Sequence, residues 1–185
     1  MLKYFHKYAN PVKFLTTVLP VRKIMGILSL GVLSVGLIFA LFLSPPDYQQ
    51  KETVRIMYIH VPAAWMSLMI YAFIFFSSVV FLVWKFPLFL ILAKESVTIG
   101  VIFTFTALLT GSLWGKPTWG TYWVWDARLT SMLILAFIYL GHLFLLYSFE
   151  HFQKADFAAS ILAIIGMVNL PIVKFSVDWW TTLHQ

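Results

Sequence analysis

The stretch Ile24-Met-Gly-Ile-Leu-Ser-Leu-Gly-Val-Leu-Ser-Val-Gly-Leu-Ile-Phe-Ala-Leu-Phe-Leu43 runs for 20 residues without a charge and is closed by Ser44-Pro45-Pro46-Asp47. As a helix rising ~1.5 Å per residue it reaches about 30 Å, the thickness of the hydrocarbon core of a bilayer. It is too long for the apolar region of a signal peptide and lacks a small-residue cleavage site, so it reads as a retained membrane span. Working outward, four more apolar runs follow at about 56–84, 96–114, 129–149 and 157–173. The second is long enough to tilt or to start late at Pro62, since proline suits the first turn of a helix. None shows the alternation of a barrel strand of ~10 residues, which leaves helices as the spanning structure. The expected fold is an all-α integral membrane protein, a polytopic bundle of five spans forming a single domain over residues 1–185.

The rest of the composition agrees. Of 185 residues 61% are hydrophobic and only 11% charged, against roughly 25% charge in a soluble domain. The absence of cysteine from the sequence excludes disulfides, thiolate metal sites, iron–sulfur clusters and covalent haem attachment by a C-x-x-C-H of this chain. A net charge of +6 would point to nucleic acid in a soluble protein, but Lys3, Lys7, Lys13, Arg22 and Lys23 precede the first span, where membrane topology accounts for them. The expected surroundings are a lipid bilayer, with no nucleic acid as partner. With the N-terminus inside, the inner segments hold eight Lys and Arg, adding Lys85, Lys94 and Lys154 to those five; the outer segments hold Lys51, Arg55, Lys116, Arg128 and Lys174. The positive-inside rule then sets the N-terminus inside and the end of this sequence outside.

This topology gathers three features on the outer face: His60 at the mouth of the second span, the segment 114–128, and the tail that ends in His184. The segment from Trp114 to Asp126 reads Trp-Gly-Lys-Pro-Thr-Trp-Gly-Thr-Tyr-Trp-Val-Trp-Asp, with four tryptophans and a tyrosine punctuated by Gly115, Pro117 and Gly120. Glycine and proline fix turns, so a short structured outer loop is expected to present Trp114, Trp119, Trp123 and Trp125. An interfacial aromatic belt is the ordinary explanation of tryptophan near span ends. A belt has two sides, however, and here Trp84 alone marks the inner one, while Trp179 and Trp180 join the loop outside and Trp65 sits in the outer half of its span. The asymmetry favours a flat, apolar ligand stacked from outside.

Two imidazoles on different outer segments beside an aromatic surface suit axial ligation of a planar metal macrocycle, which makes His60 and His184 the candidate metal ligands. Met57, Met66 and Met69 offer thioethers as alternatives, although methionine on a helix is more often packing. Asp126 is placed to cap the fourth span, a role compatible with fixing the loop. Arg55 and Arg128 are outer cations suited to carboxylates on the ligand, with lipid headgroups as the competing use. Lys116 reads as a solvated loop charge. His142 lies 13 residues into the fourth span and is expected to be buried and hydrogen-bonded. A bis-His b-type cytochrome subunit is the alternative function, although its histidines would lie deep in facing helices, where only His142 does. A transporter subunit with a one-sided tryptophan anchor is a third.

The segment Trp114-Gly-Lys-Pro-x-Trp-Gly-Thr-x-Trp-Val-Trp-Asp-Ala-Arg-Leu-Thr-Ser131 resembles the tryptophan-rich signature of haem-handling proteins, and within them the CcmC family of cytochrome c maturation. The resemblance extends to Pro45-Pro-Asp-Tyr-Gln-Gln50, to Tyr58-Ile-His-Val-Pro-Ala-Ala64 and to the segment from Asn169 to Gln185, and so covers nearly the whole chain. It implies a membrane haem chaperone and not an enzyme: haem b is held without covalent attachment at the outer, periplasmic face between His60, His184 and the tryptophan loop, then delivered to the haem chaperone CcmE. It also implies the ATP-binding-cassette subunits CcmA and CcmB and the small membrane protein CcmD as partners. The implied location is the cell inner membrane, or the mitochondrial inner membrane in an organelle. Family members usually carry a sixth span after the second histidine, whereas this sequence stops at Gln185, as a fragment or a short form.

Overall fold

A computed structural model describes residues 10–148 and 152–183, and over these the chain is helical. The helices are α1 (Pro11–Ile38), α2 (Val54–Trp84), α3 (Pro87–Trp119), α4 (Ala127–Ser148), α5 (Phe152–Gly166) and α6 (Asn169–Trp179). Five helical stretches are long and apolar enough to cross a membrane, the fifth formed by α5 and α6 together over Lys154–Trp179. The protein is thus a multi-pass membrane protein of the expected class.

Local chemistry sets the boundaries. Asn10 caps α1 through its side-chain oxygen, which accepts from the backbone N–H of Val12 and Lys13. The helix widens into a π turn over Phe39–Leu43 and ends where Pro45 and Pro46 can donate no backbone bond. Between α2 and α3 only Lys85 and Phe86 intervene, with Lys85 in the left-handed region (φ 56°) and Phe86 extended ahead of Pro87. The third span therefore starts well before residue 96. Lys94 and Glu95, which lower the hydropathy there, are carried inside the helix, and Lys94 pairs with Asp156 of α5 at 2.5 Å. The other end of α3 differs too: the helix continues through Trp114 and Pro117 to Trp119 and stops only at Gly120, whose φ of 80° suits glycine. The true loop is 120–126, and the first two tryptophans of the expected loop stand on the last turns of a helix. The fifth span is broken at Met167 and Val168, because Pro171 offers no N–H to the Met167 carbonyl. Asn169 pins the break by donating its amide to the Ser131 carbonyl at 2.8 Å.

The core lies among α2 to α6. Tyr71 and Tyr139 are fully buried, meet edge to face at 5.2 Å, and donate their hydroxyls to the Ala163 and Ser67 carbonyls. Gly100 and Gly166 leave the space those two rings occupy; a methyl group at either would overlap a tyrosine. Ser67 and Thr104 share a hydroxyl bond between α2 and α3 at 2.5 Å. α1 stands apart, meeting the rest chiefly through its π turn, and its apolar side chains face outward. His142 is buried as expected at 2% exposure, yet its Nδ1 finds no hydrogen-bond partner among the described residues.

Candidate functional site

At the end of the bundle where α2 begins, four helices and the 120–126 loop line a cleft of about 140 Å³, continuous with the exterior. Helical spacing selects its walls. α2 supplies His60, Ala64 and Leu68 at four-residue intervals with Trp65 beside them; α3 supplies Ala107, Leu108, Gly111 and Ser112; α4 supplies Arg128, Leu129 and Met132; α6 supplies Val173 and Lys174; the loop contributes Trp123.

His60 is half-buried and held from one side only. Its Nδ1 lies 3.0 Å from the Ala107 carbonyl oxygen and 3.2 Å from Thr110 Oγ1. A carbonyl can only accept, and the Thr110 hydroxyl donates its proton to the Thr106 carbonyl at 2.6 Å, so Nδ1 carries the hydrogen. Nε2 is then the basic nitrogen, free to bind a metal, with the Ala107 carbonyl as the orienting group that metal-binding histidines require. Gly111 is what lets the ring lie there: a Cβ at this position would stand 2.8 Å from His60 Cε1.

The tryptophans form a connected set with unequal roles. Trp114 stacks near the His60 ring, with centroids 6.3 Å apart and planes at 26°, and meets Trp119 edge to face at 5.6 Å. Its indole N–H donates to Gln50 Oε1 at 3.1 Å. Gln50 is placed by a turn in which Asp47 Oδ1 accepts from the backbone N–H of Gln49 and Gln50, and these hydrogen bonds, Gln50's foremost, hold the exposed Asp47 carboxyl below its ordinary pKa. Trp123 lines the cleft, and its buried indole N–H has no acceptor among the described residues. Trp125 packs edge to face on Trp123 at 5.5 Å but is 75% exposed and does not line the cleft. Asp126 caps α4, its Oδ1 accepting from Leu129 N–H at 2.8 Å. Lys116 donates to the Gly120 carbonyl and lies over Tyr122, closing the end of α3.

The two expected arginines part company. Arg128 lines the cleft and is braced by α6, donating through Nε to Ser176 Oγ at 3.4 Å and through Nη2 to the Lys174 carbonyl at 3.3 Å. Arg55 does not line it: its guanidinium pairs with Glu52 at 3.0 Å and donates to the Ser44 carbonyl, because one turn above His60 it points back to the 44–53 segment. Met57, Met66 and Met69 are likewise off the cleft wall, where Met132 stands instead. His184 lies outside the described residues. Among the described residues no group of three or more His, Cys, Asp or Glu gathers around a metal position.

Sequence reasoning did not find Ala107, Thr110 and Gly111, which carry no chemical signature, nor Lys174. The last had one available signal: it is the sole charge between Asp156 and Asp178, and lone charges in spans are seldom idle.

A family profile described as "CcmC: Heme exporter protein C" matches residues 4–185. A heme exporter protein C of Bradyrhizobium diazoefficiens is 50% identical over 177 residues, covering 96% of this chain and 67% of the relative. The protein of that name from Escherichia coli K12 is 50% identical over 161 residues, covering 87% of this chain and 66% of the relative. A Marchantia polymorpha protein named as a putative ccmC-like mitochondrial protein of cytochrome c biosynthesis is 55% identical over 152 residues, covering 82% and 64%. The chain spans about two thirds of the length of these relatives. With the profile matched from residue 4 to residue 185 and relatives half identical across most of its length, the chain belongs to the CcmC, or heme exporter protein C, family.

Proposed function

We propose that this protein is a haem carrier of cytochrome c maturation, which holds haem b non-covalently in the cleft at the outer face of an inner membrane and passes it on. The observation that carries the reading is His60: its Nδ1 hydrogen is committed to the Ala107 carbonyl, so that Nε2 is a ready axial ligand on the wall of a cleft open to the exterior. Trp114 and Trp123 supply apolar surface beside it, and Arg128 a cation for a carboxylate. Trp119, Trp125 and Asp126 support that surface through ring contacts and the α4 cap. Arg55 serves the site indirectly by fastening α2 to the 44–53 segment. His184 is the second axial ligand in this reading. The protein transfers a bound molecule and catalyses no bond change. The acceptor is a CcmE-type haem chaperone, and CcmA, CcmB and CcmD are its partners in a membrane complex.

The test is a titration of the purified protein with haem. A Soret band whose position shifts in His60→Gly, and recovers with millimolar-range imidazole, supports ligation. A haem that binds with an unchanged spectrum in that variant refutes it.

A further inference from the structure

We propose that Lys174 is a specificity-determining residue of the cleft, acting with Arg128 to select a flat ligand that bears two carboxylates. The inference rests on the reading of the cleft as a tetrapyrrole site. Its basis is the placement of charge. Arg128 and Lys174 are the two cations on the wall; no carboxylate lines it among the described residues, and the Asp126 and Asp178 carboxylates act on Arg128 from behind the wall. The Lys174 ammonium lies 4.3 Å from the centroid of the Trp65 ring and makes no ion pair among the described residues. Arg128 is bonded to the Lys174 carbonyl and to Ser176, so α6 fixes the spacing of the two cations.

An ammonium resting on an indole face is held less strongly than one meeting a carboxylate through charge-assisted hydrogen bonds. An entering carboxylate therefore draws Lys174 off Trp65 and uncovers an aromatic face for the ligand's ring. Arg128 is left for the other carboxylate, while Arg55, engaged by Glu52 and Ser44 away from the wall, takes neither. A macrocycle whose acids are esterified loses both partners and leaves the cations in place, so charge at the cleft rim discriminates between ligands of nearly identical shape.

The experiment compares haem with haem dimethyl ester, each titrated into the detergent-solubilised full chain and read from the Soret band. Wild type is expected to prefer the diacid, and Lys174→Met to lose roughly tenfold or more of that preference while still binding the ester, which also shows that the variant is folded. Lys174→Arg is expected to restore the preference. Lys154→Met, removing the same charge at the opposite end of the bundle, is expected to keep it. Equal binding of diacid and ester by wild type, or an undiminished preference in Lys174→Met, overturns the proposal while leaving the haem site standing. Failure of wild type to bind either compound overturns the tetrapyrrole reading itself.

Discussion

Replacing Gly111 by alanine tests whether the packing of α3 against α2 is what orients His60. The added Cβ would stand 2.8 Å from His60 Cε1 and 3.3 Å from Nδ1. Carbon atoms rest at about 3.5–4.0 Å, so the ring has to withdraw by roughly 0.7 Å or more. The Nδ1 bond to the Ala107 carbonyl is 3.0 Å long, and a displacement of that size carries it past the ~3.2 Å limit of a sound N–H···O bond. The expected cost in stability is ~1–3 kcal/mol for the overpacking, with a further ~0.5–1.5 kcal/mol for the hydrogen bond. Because the lost bond is the one that fixes the tautomer of the proposed metal ligand, haem affinity should fall by about 10–100-fold, with a displaced Soret maximum. Gly141→Ala is the matched control. Its Cβ would meet only Leu162 Cδ2 at 3.3 Å, the end of a flexible side chain away from the cleft, so haem binding should be unaffected. Wild-type affinity and spectrum in Gly111→Ala would refute the argument that this contact sets the imidazole.

Three further outcomes are expected. Trp123→Ala should weaken haem binding more than Trp125→Ala, since Trp123 lines the cleft and Trp125 only braces it; equal losses would favour a general anchoring role for both. Asp126→Ala removes the acceptor for Leu129 N–H and should cost about 1 kcal/mol in thermal stability, whereas Asp126→Asn, still able to cap, should cost little. The Asp47 carboxyl is held below its ordinary pKa by the backbone N–H groups of Gln50 and Gln49, so its contribution is complete at neutral pH and is lost as pH falls through the lowered value. Hydrogen exchange over residues 48–51 should therefore stay slow at mildly acidic pH and lose its protection only below the ordinary carboxylate range; protection lost already within that range would contradict the assignment.

The number and helical nature of the spans were legible in the chain because the bilayer imposes a length of ~20 apolar residues and forbids unpaired backbone, constraints that act on local sequence alone. The same holds for the α4 cap at Asp126 and for His60 as a candidate ligand, since both depend on residue type and place relative to a span end. What hydropathy misplaced were ends whose position depends on contacts. α3 carries Lys94 inside the helix, where it finds Asp156 across the bundle, and it runs on through Gly115 and Pro117 to end at Gly120, whose φ of 80° suits glycine.

The composition of the site was decided by tertiary structure. Arg55 and Arg128 look alike in the sequence, yet Arg55 turns to Glu52 and Ser44 while Arg128 is braced over the cleft by α6. The partner of the His60 ring is a backbone carbonyl 47 residues away, beside a glycine whose function is to be small. Lys174 reaches the wall of the cleft from α6, beyond the break at Met167 and Val168. Such roles follow from the distance between segments brought together by packing, a quantity that residue identity does not encode one position at a time. The sequence by itself determined that the chain crosses a membrane and which residues carry chemistry suited to the proposed haem site; folding decided which of them face one another.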